Sequence, residues 1–154
     1  MIRNALHDLK YRKNIGLGIS LAQHLISVLQ TCDWEIDLVA PVPLGINREH
    51  QRGYNQADLL AKPLALALQL PYNPHTLRRV KETQSQVELS LPERQKNMMA
   101  AFEAQPQKVL GKQILVIDDV TTSGSTLEAC AIALLEAGAK SVYGLTVARA
   151  MLAK

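Results

Sequence analysis

Ile114-Leu115-Val116-Ile117-Asp118-Asp119-Val120-Thr121-Thr122-Ser123-Gly124-Ser125-Thr126 is the stretch on which the fold turns. Gln113 to Ile117 is a continuous apolar run with β-branched residues, the pattern of a strand buried on both faces. Two acids end that strand. Beyond the Ser and Thr residues, Leu127, Cys130, Ala131, Leu134 and Leu135 mark one face of a helix, Gly138 stops it, and Ser141 to Val147 reads as a further strand. A strand, a helix and a strand in succession predict parallel strands joined by a right-handed crossover. The expected fold class is therefore α/β, with a mainly parallel twisted sheet flanked by helices.

The bend after the acids has a chemistry of its own. Ligands of open parallel sheets bind beyond the carboxyl ends of the strands. There, Asp118 and Asp119 can accept hydrogen bonds from vicinal ribose hydroxyls and help hold a divalent cation. The amide N–H groups that open the next helix point outward and carry the positive end of its dipole, which suits a phosphate dianion without any lysine. Gly124 permits close approach, and the hydroxyls of Thr122, Ser123, Ser125 and Thr126 add donors. Asp119 or Ser123 alone could serve as a helix cap, but a cap needs one such residue, and an acid pair followed by Thr-Thr-Ser-Gly-Ser-Thr exceeds that need.

Outward from the motif, the spacing of Leu21, Leu25, Val28 and Leu29 predicts a helix from about Leu17 to Gln30, after a shorter helix near the start. Ile36 to Val42 reads as a buried strand ending at Pro41-Val42-Pro43. Asn55 to Leu70 is rich in Ala and Leu and reads as a helix, with a kink or a late start because Pro63 removes the bond to the Leu59 carbonyl. A strand is expected at Thr76 to Val80, then a polar loop through Thr83 to Ser90 and a short helix opened by Pro92-Glu93. The whole of 1–154 is expected to form a single domain, with residues 1–31 as a helical segment packed on it.

Composition excludes several classes. A 47% hydrophobic and 20% charged chain is that of a soluble globular protein, and no apolar run approaches the roughly 18 residues that cross a bilayer. Met1 to Tyr11 alternates polar and apolar residues and does not read as a secretory signal, so a cytoplasmic location is expected. Cys32 and Cys130 have no metal-ligand spacing around them and read as ordinary buried thiols. The net charge of +3 is spread along the chain, which suits a small polyanion as well as nucleic acid.

Ile114 to Thr126 resembles the phosphoribosyl-diphosphate (PRPP) loop of type I phosphoribosyltransferases: hydrophobic residues, two acids, then Thr, Gly and Thr. Pro41-Val42-Pro43-Leu44 with Arg48, and Arg52-Gly53-Tyr54-Asn55-Gln56, are similar to the ComF/GntX branch of that family. So are Leu77-Arg78-Arg79, Thr83, Gln86, Arg94, Asn97 and Phe102, and the resemblance spans nearly the whole chain. It implies a type I phosphoribosyltransferase-like fold with a flexible loop or hood insertion. It implies PRPP contacts from Asp118, Asp119, Thr121, Thr122, Ser123, Gly124, Ser125 and Thr126, with Mg2+ held alongside PRPP by Asp118 and Asp119. A pyrophosphate loop would run from Leu44 to about Asn55, with Arg52 as the charged contact, since a guanidinium offers forked donors to a diphosphate. A closing catalytic loop would span Arg79 to about Asn97, with Lys81 and Arg94 as candidates; read singly, these cations and Arg52 are equally surface residues.

Two departures stand out. ComF-like chains usually carry a four-cysteine zinc module at the N-terminus that has no counterpart in this sequence. Thr122 stands where purine-salvage members place an acid near the base, which speaks against purine-base salvage.

The expected function is transfer of a phosphoribosyl group from PRPP to an unidentified acceptor, a pentosyl transfer in a ComF-like competence or DNA-utilisation setting. The alternative is a non-catalytic module that senses PRPP or a nucleotide. The expected partner is a small phosphoribosyl substrate, with a homodimer as a compatible assembly and no membrane contact. Direct nucleic-acid binding is not expected, because aromatic residues make up 4% of the chain and no basic and aromatic platform is interleaved.

Overall fold

The computed structural model describes residues 2–81, 92–93 and 99–150. In chain order the elements are α1 (Ile2–Tyr11), α2 (Ile15–Leu29), β1 (Leu38–Pro41), α3 (Ile46–Arg52), α4 (Asp58–Ala67), β2 (Leu77–Arg79), β3 (Phe102–Ala104), α5 (Pro106–Val109), β4 (Gln113–Thr121), α6 (Ser125–Glu136) and β5 (Ser141–Arg149). Strands β1, β4 and β5 form a parallel sheet in that order, with Leu38 beside Ile114 and Ile114 beside Val142. Tyr72 adds a single parallel bridge to Val39 on the outer edge of β1. A separate antiparallel pair, β2 with β3, sets Leu77 opposite Ala104.

Alternation along β4 explains the layering. Ile114 and Val116 enter a core shared with Cys130 and Leu134 of α6 and with Leu77 and Phe102 of the antiparallel pair. Leu115 and Ile117 enter the other core, with Leu9 of α1, Leu21 and Leu25 of α2, and Leu60 and Leu64 of α4. Side chains of successive strand residues point to opposite faces, so a wholly apolar strand is one that needs helices on both sides.

The expected elements are present with shifted bounds. Strand β4 continues through the acid pair to Thr121 instead of stopping at Ile117, because β5 is long enough to pair with it as far as Thr121 beside Arg149. On α6 the buried residues are Ala129, Cys130, Ala133 and Leu134, while Leu135 is half exposed, so the inner face is rotated toward the alanines. On α2, Val28 faces out and Gly18 and Ala22 face in. Cys130 is buried as expected, but Cys32 is only partly so, its Sγ lying 3.5 Å from the Val28 carbonyl.

Helix α4 starts late, at Asp58, and keeps Pro63 inside it. The carbonyl that Pro63 leaves without its helical donor is that of Leu59, and Gly18 of α2 lies against it: a Cβ on Gly18 would stand 2.7 Å from the Leu59 oxygen. A glycine there lets the two helices approach closely. Helix α3, the β3 pairing and α5 were not expected from the sequence. Of the expected loop and short helix, Pro92 and Glu93 are helical and exposed, while residues 82–91 and 94–98, and with them Arg94, lie outside the described residues.

Candidate functional site

Both acids lie within β4 near its carboxyl end, Asp118 beside Thr146 of β5. Asp118 and Asp119 are 8% and 3% exposed, which is rare for carboxylates and calls for compensation. Oδ1 of Asp118 accepts the Asp119 N–H at 2.8 Å. Burial first, and then the charge of Asp119, push the Asp118 carboxyl up to about 7, against the opposing pull of Lys10. The Lys10 ammonium, from the last turn of α1, stands 2.8 Å from Asp119 Oδ2. That oxygen receives no aligned hydrogen bond among the described residues.

Beyond Thr121, whose carbonyl accepts the Ala150 N–H at 2.8 Å, the chain turns through Thr122 and Ser123, both exposed. Gly124 is the N-cap of α6, at φ +88, and has no side chain to cap the helix. A Cβ there would meet nothing within 4 Å, so the glycine answers a left-handed backbone and open space lies over it. Neither Asp119 nor Ser123 is the N-cap residue. Ser123 and Ser125 hydroxyls lie 3.0 Å apart, and the Ser125 N–H reaches Ser123 Oγ at 3.4 Å. Ser125 and Thr126 open α6, half-buried.

The other wall comes from the segment after β1. Leu44 is half-buried in the turn before α3. Asn55 is buried and both ends of its amide hold backbone, Nδ2 donating to the Val42 carbonyl at 2.9 Å and Oδ1 accepting the Ala57 N–H at 3.0 Å. Arg52 ends α3; it donates to Gln56 Oε1 at 2.9 Å and lies over the Tyr11 ring at 5.3 Å. Tyr54 ties this wall to α1, its hydroxyl donating to the Leu9 carbonyl at 2.8 Å and accepting the Lys13 N–H at 3.0 Å. Thus Arg52 and Asp119 touch consecutive residues of α1, Tyr11 and Lys10.

On the far side, Lys81 is exposed and its carbonyl accepts from Arg79 Nε at 3.2 Å. Arg79 lies over Phe102 at 5.4 Å. Burial and then the charge of Asp118 push the Cys130 thiol up, with Arg79 opposing, so these three groups share one neighbourhood. Lys10 escaped the sequence reading because a lysine in the last turn of a helix is an ordinary complement to the helix dipole. No local pattern links it to Asp119.

The model of the phosphoribosyl transferase domain family matches residues 17–151. The chain belongs to the phosphoribosyl transferase domain family. Among curated relatives, it is 34% identical over 142 residues to the DNA utilization protein YhgH of Salmonella typhimurium, covering 89% of this chain and 62% of that protein. It is 36% identical over 116 residues to competence protein F of Haemophilus influenzae, covering 74% of this chain and 51% of the relative. The chain therefore spans only part of the length of these relatives. Among solved structures, the glutamine PRPP amidotransferase of B. subtilis, complexed with ADP and GMP, matches with a TM-score of 0.62 at 19% identity, over 92% of this chain and 30% of that one. An adenine phosphoribosyltransferase matches with a TM-score of 0.55 at 18% identity, over 90% of this chain and 72% of that one. At these identities the likeness speaks for the fold, which is type I phosphoribosyltransferase-like as the sequence motif implied. Among the described residues no helix is long and apolar enough to cross a membrane.

Proposed function

We propose that this chain binds PRPP and transfers its phosphoribosyl group to an acceptor nucleophile. The observation that carries the reading is the continuity of the site along the backbone. Buried acids at the end of a parallel strand run directly, through exposed hydroxyls and a left-handed glycine, into the first turn of a helix. Such an arrangement offers carboxylate acceptors to ribose hydroxyls and amide donors to the 5-phosphate about one sugar away.

The chemistry asked of the protein is modest. The bond from C1 to the diphosphate oxygen breaks with its electron pair leaving on the diphosphate, while the acceptor bonds to C1 from the opposite face. Positive charge develops on the ribose during that exchange. The roles assigned here are orientation of the ribose by Asp118 and Asp119, retention of the 5-phosphate by residues 122–126, and stabilisation of the departing diphosphate by Arg52. Lys81 and the loop that begins at Arg79 would exclude water.

The donors present suit Mg2+ arriving with the diphosphate. Carboxylate oxygens are hard ligands, and among the described residues no group of three His, Cys, Asp or Glu gathers to hold a metal. Asp118 and Asp119 would contribute one or two oxygens, with the rest from diphosphate and water, and the ion would supply neutralisation of the leaving group's charge. The names of the relatives suggest DNA utilisation as the setting.

The test is calorimetric binding of PRPP with Mg2+ to the wild type and to Asp118→Asn with Asp119→Asn, in parallel with pyrophosphate release across a panel of acceptors. The double variant is expected to lose at least a hundredfold in affinity, about 2.7 kcal/mol. Unaltered affinity would remove the site. Tight binding by the wild type without turnover across acceptors would favour the sensing module instead.

A further inference from the structure

The last turn of α1 is fastened, yet the head of Lys10 is not enclosed. Tyr54 holds the turn through Leu9 and Lys13, and Arg52 covers Tyr11. The Lys10 side chain is 30% exposed against 5% for its partner Asp119. A lysine is a compact charge on a flexible four-carbon stem with rotatable donors, suited to serve different anions from one anchored backbone. Asp119 Oδ2 lacks an aligned donor among the described residues, so Lys10 supplies charge to that oxygen without completing its hydrogen bonding.

We propose that Lys10 is a specificity-determining residue that favours pentose phosphates bringing an anion on the C1 side. The inference rests on the proposed function. When a ribose hydroxyl donates to Asp119, it completes the hydrogen bonding of the carboxylate but brings no charge, and the flexible Lys10 stem is free to turn its ammonium toward another anion. A ligand with a diphosphate at C1 returns an anion to Lys10 on the side where Tyr11 and Arg52 already stand. A ligand bearing only the 5-phosphate places its charge at the α6 end and gains nothing from the ammonium, which stays beside the Asp119 carboxylate. Lys10 thus rewards the diphosphate and is nearly neutral toward the same sugar without it, which is a difference in affinity between the two ligands.

The experiment compares wild type, Lys10→Met, Lys10→Arg and Tyr54→Phe for binding of PRPP and of ribose 5-phosphate, with folding verified by circular dichroism. Lys10→Met is expected to weaken PRPP at least tenfold while changing ribose 5-phosphate less than threefold. Lys10→Arg should regain part of the PRPP affinity. Equal losses for both ligands, or unchanged PRPP affinity, would overturn the proposal and leave the proposed function standing. So would the same selective loss in Tyr54→Phe, which loosens α1 without altering its charge. A folded wild type that binds neither ligand would overturn both.

Discussion

The two walls of the site are built in different ways. One, from Gln113 to Thr126, is continuous chain: a strand, a bend and the opening of a helix, each positioned by its neighbours in sequence. The other is assembled from α1 and the segment from α3 to Asn55, brought together by contacts such as Tyr54 with Leu9, 45 residues apart. A local wall presents its donors whatever the rest of the chain does, once the sheet is formed. An assembled wall has its geometry only while helices far apart in sequence stay docked, and local opening begins where few buried contacts hold an element.

The largest effect expected belongs to the continuous wall, where the Asp118→Asn and Asp119→Asn double variant should remove PRPP binding without unfolding the sheet. Loss of folding in that variant would mean that the acids are structural, and the contrast between the walls would fail. Next comes the core behind the assembled wall, which Leu9 of α1 shares with α2 and α4. Gly18→Val would drive a side chain into the Leu59 carbonyl between α2 and α4. It should cost about 1–3 kcal/mol in urea unfolding, as overpacking of a tight contact does.

A subtler test lies in pH. The Asp118 carboxyl has its ordinary value of 3.8 when unfolded, and burial pushes it up to about 7 in the folded state, which therefore keeps the proton longer. Stability from this group is full below the lower value and is lost as pH rises through the upper one. The slope reaches at most about 1.4 kcal/mol per pH unit for one proton. Unfolding followed between these two values should show the decline, and Asp118→Asn should flatten it. The smallest effect is that of Tyr54→Phe, which removes the bond to the Leu9 carbonyl and should cost about 1 kcal/mol. Amide exchange in α1 should then quicken while β4 is unchanged; equal quickening in both would erase the distinction.

Legibility followed the same division. The β4–α6–β5 unit was readable because apolar periodicity, the glycine stop at Gly138 and the acid pair are all short-range signals. The continuation of β4 past Ile117 was not, since Asp118 and Asp119 carry no strand propensity and are drawn into the ladder by the length of β5. Helix α3 contains Asn47, Arg48 and His50, and none of its residues is buried, so it shows no apolar stripe to read. Arg52 was singled out by its charge, but its placement over Tyr11 is a property of the docked helices.

What the amino-acid order determined alone is the family, the parallel α/β core and the hydroxyl-rich bend between β4 and α6, because residues adjacent in the chain must be adjacent in space. What only the tertiary structure decided is who stands opposite that bend. Lys10 meets Asp119 across more than a hundred residues because the core on the Leu115 and Ile117 face of β4 draws α1, α2 and α4 onto that side of the sheet. Burial is non-directional and leaves no short pattern by which a lysine announces its partner.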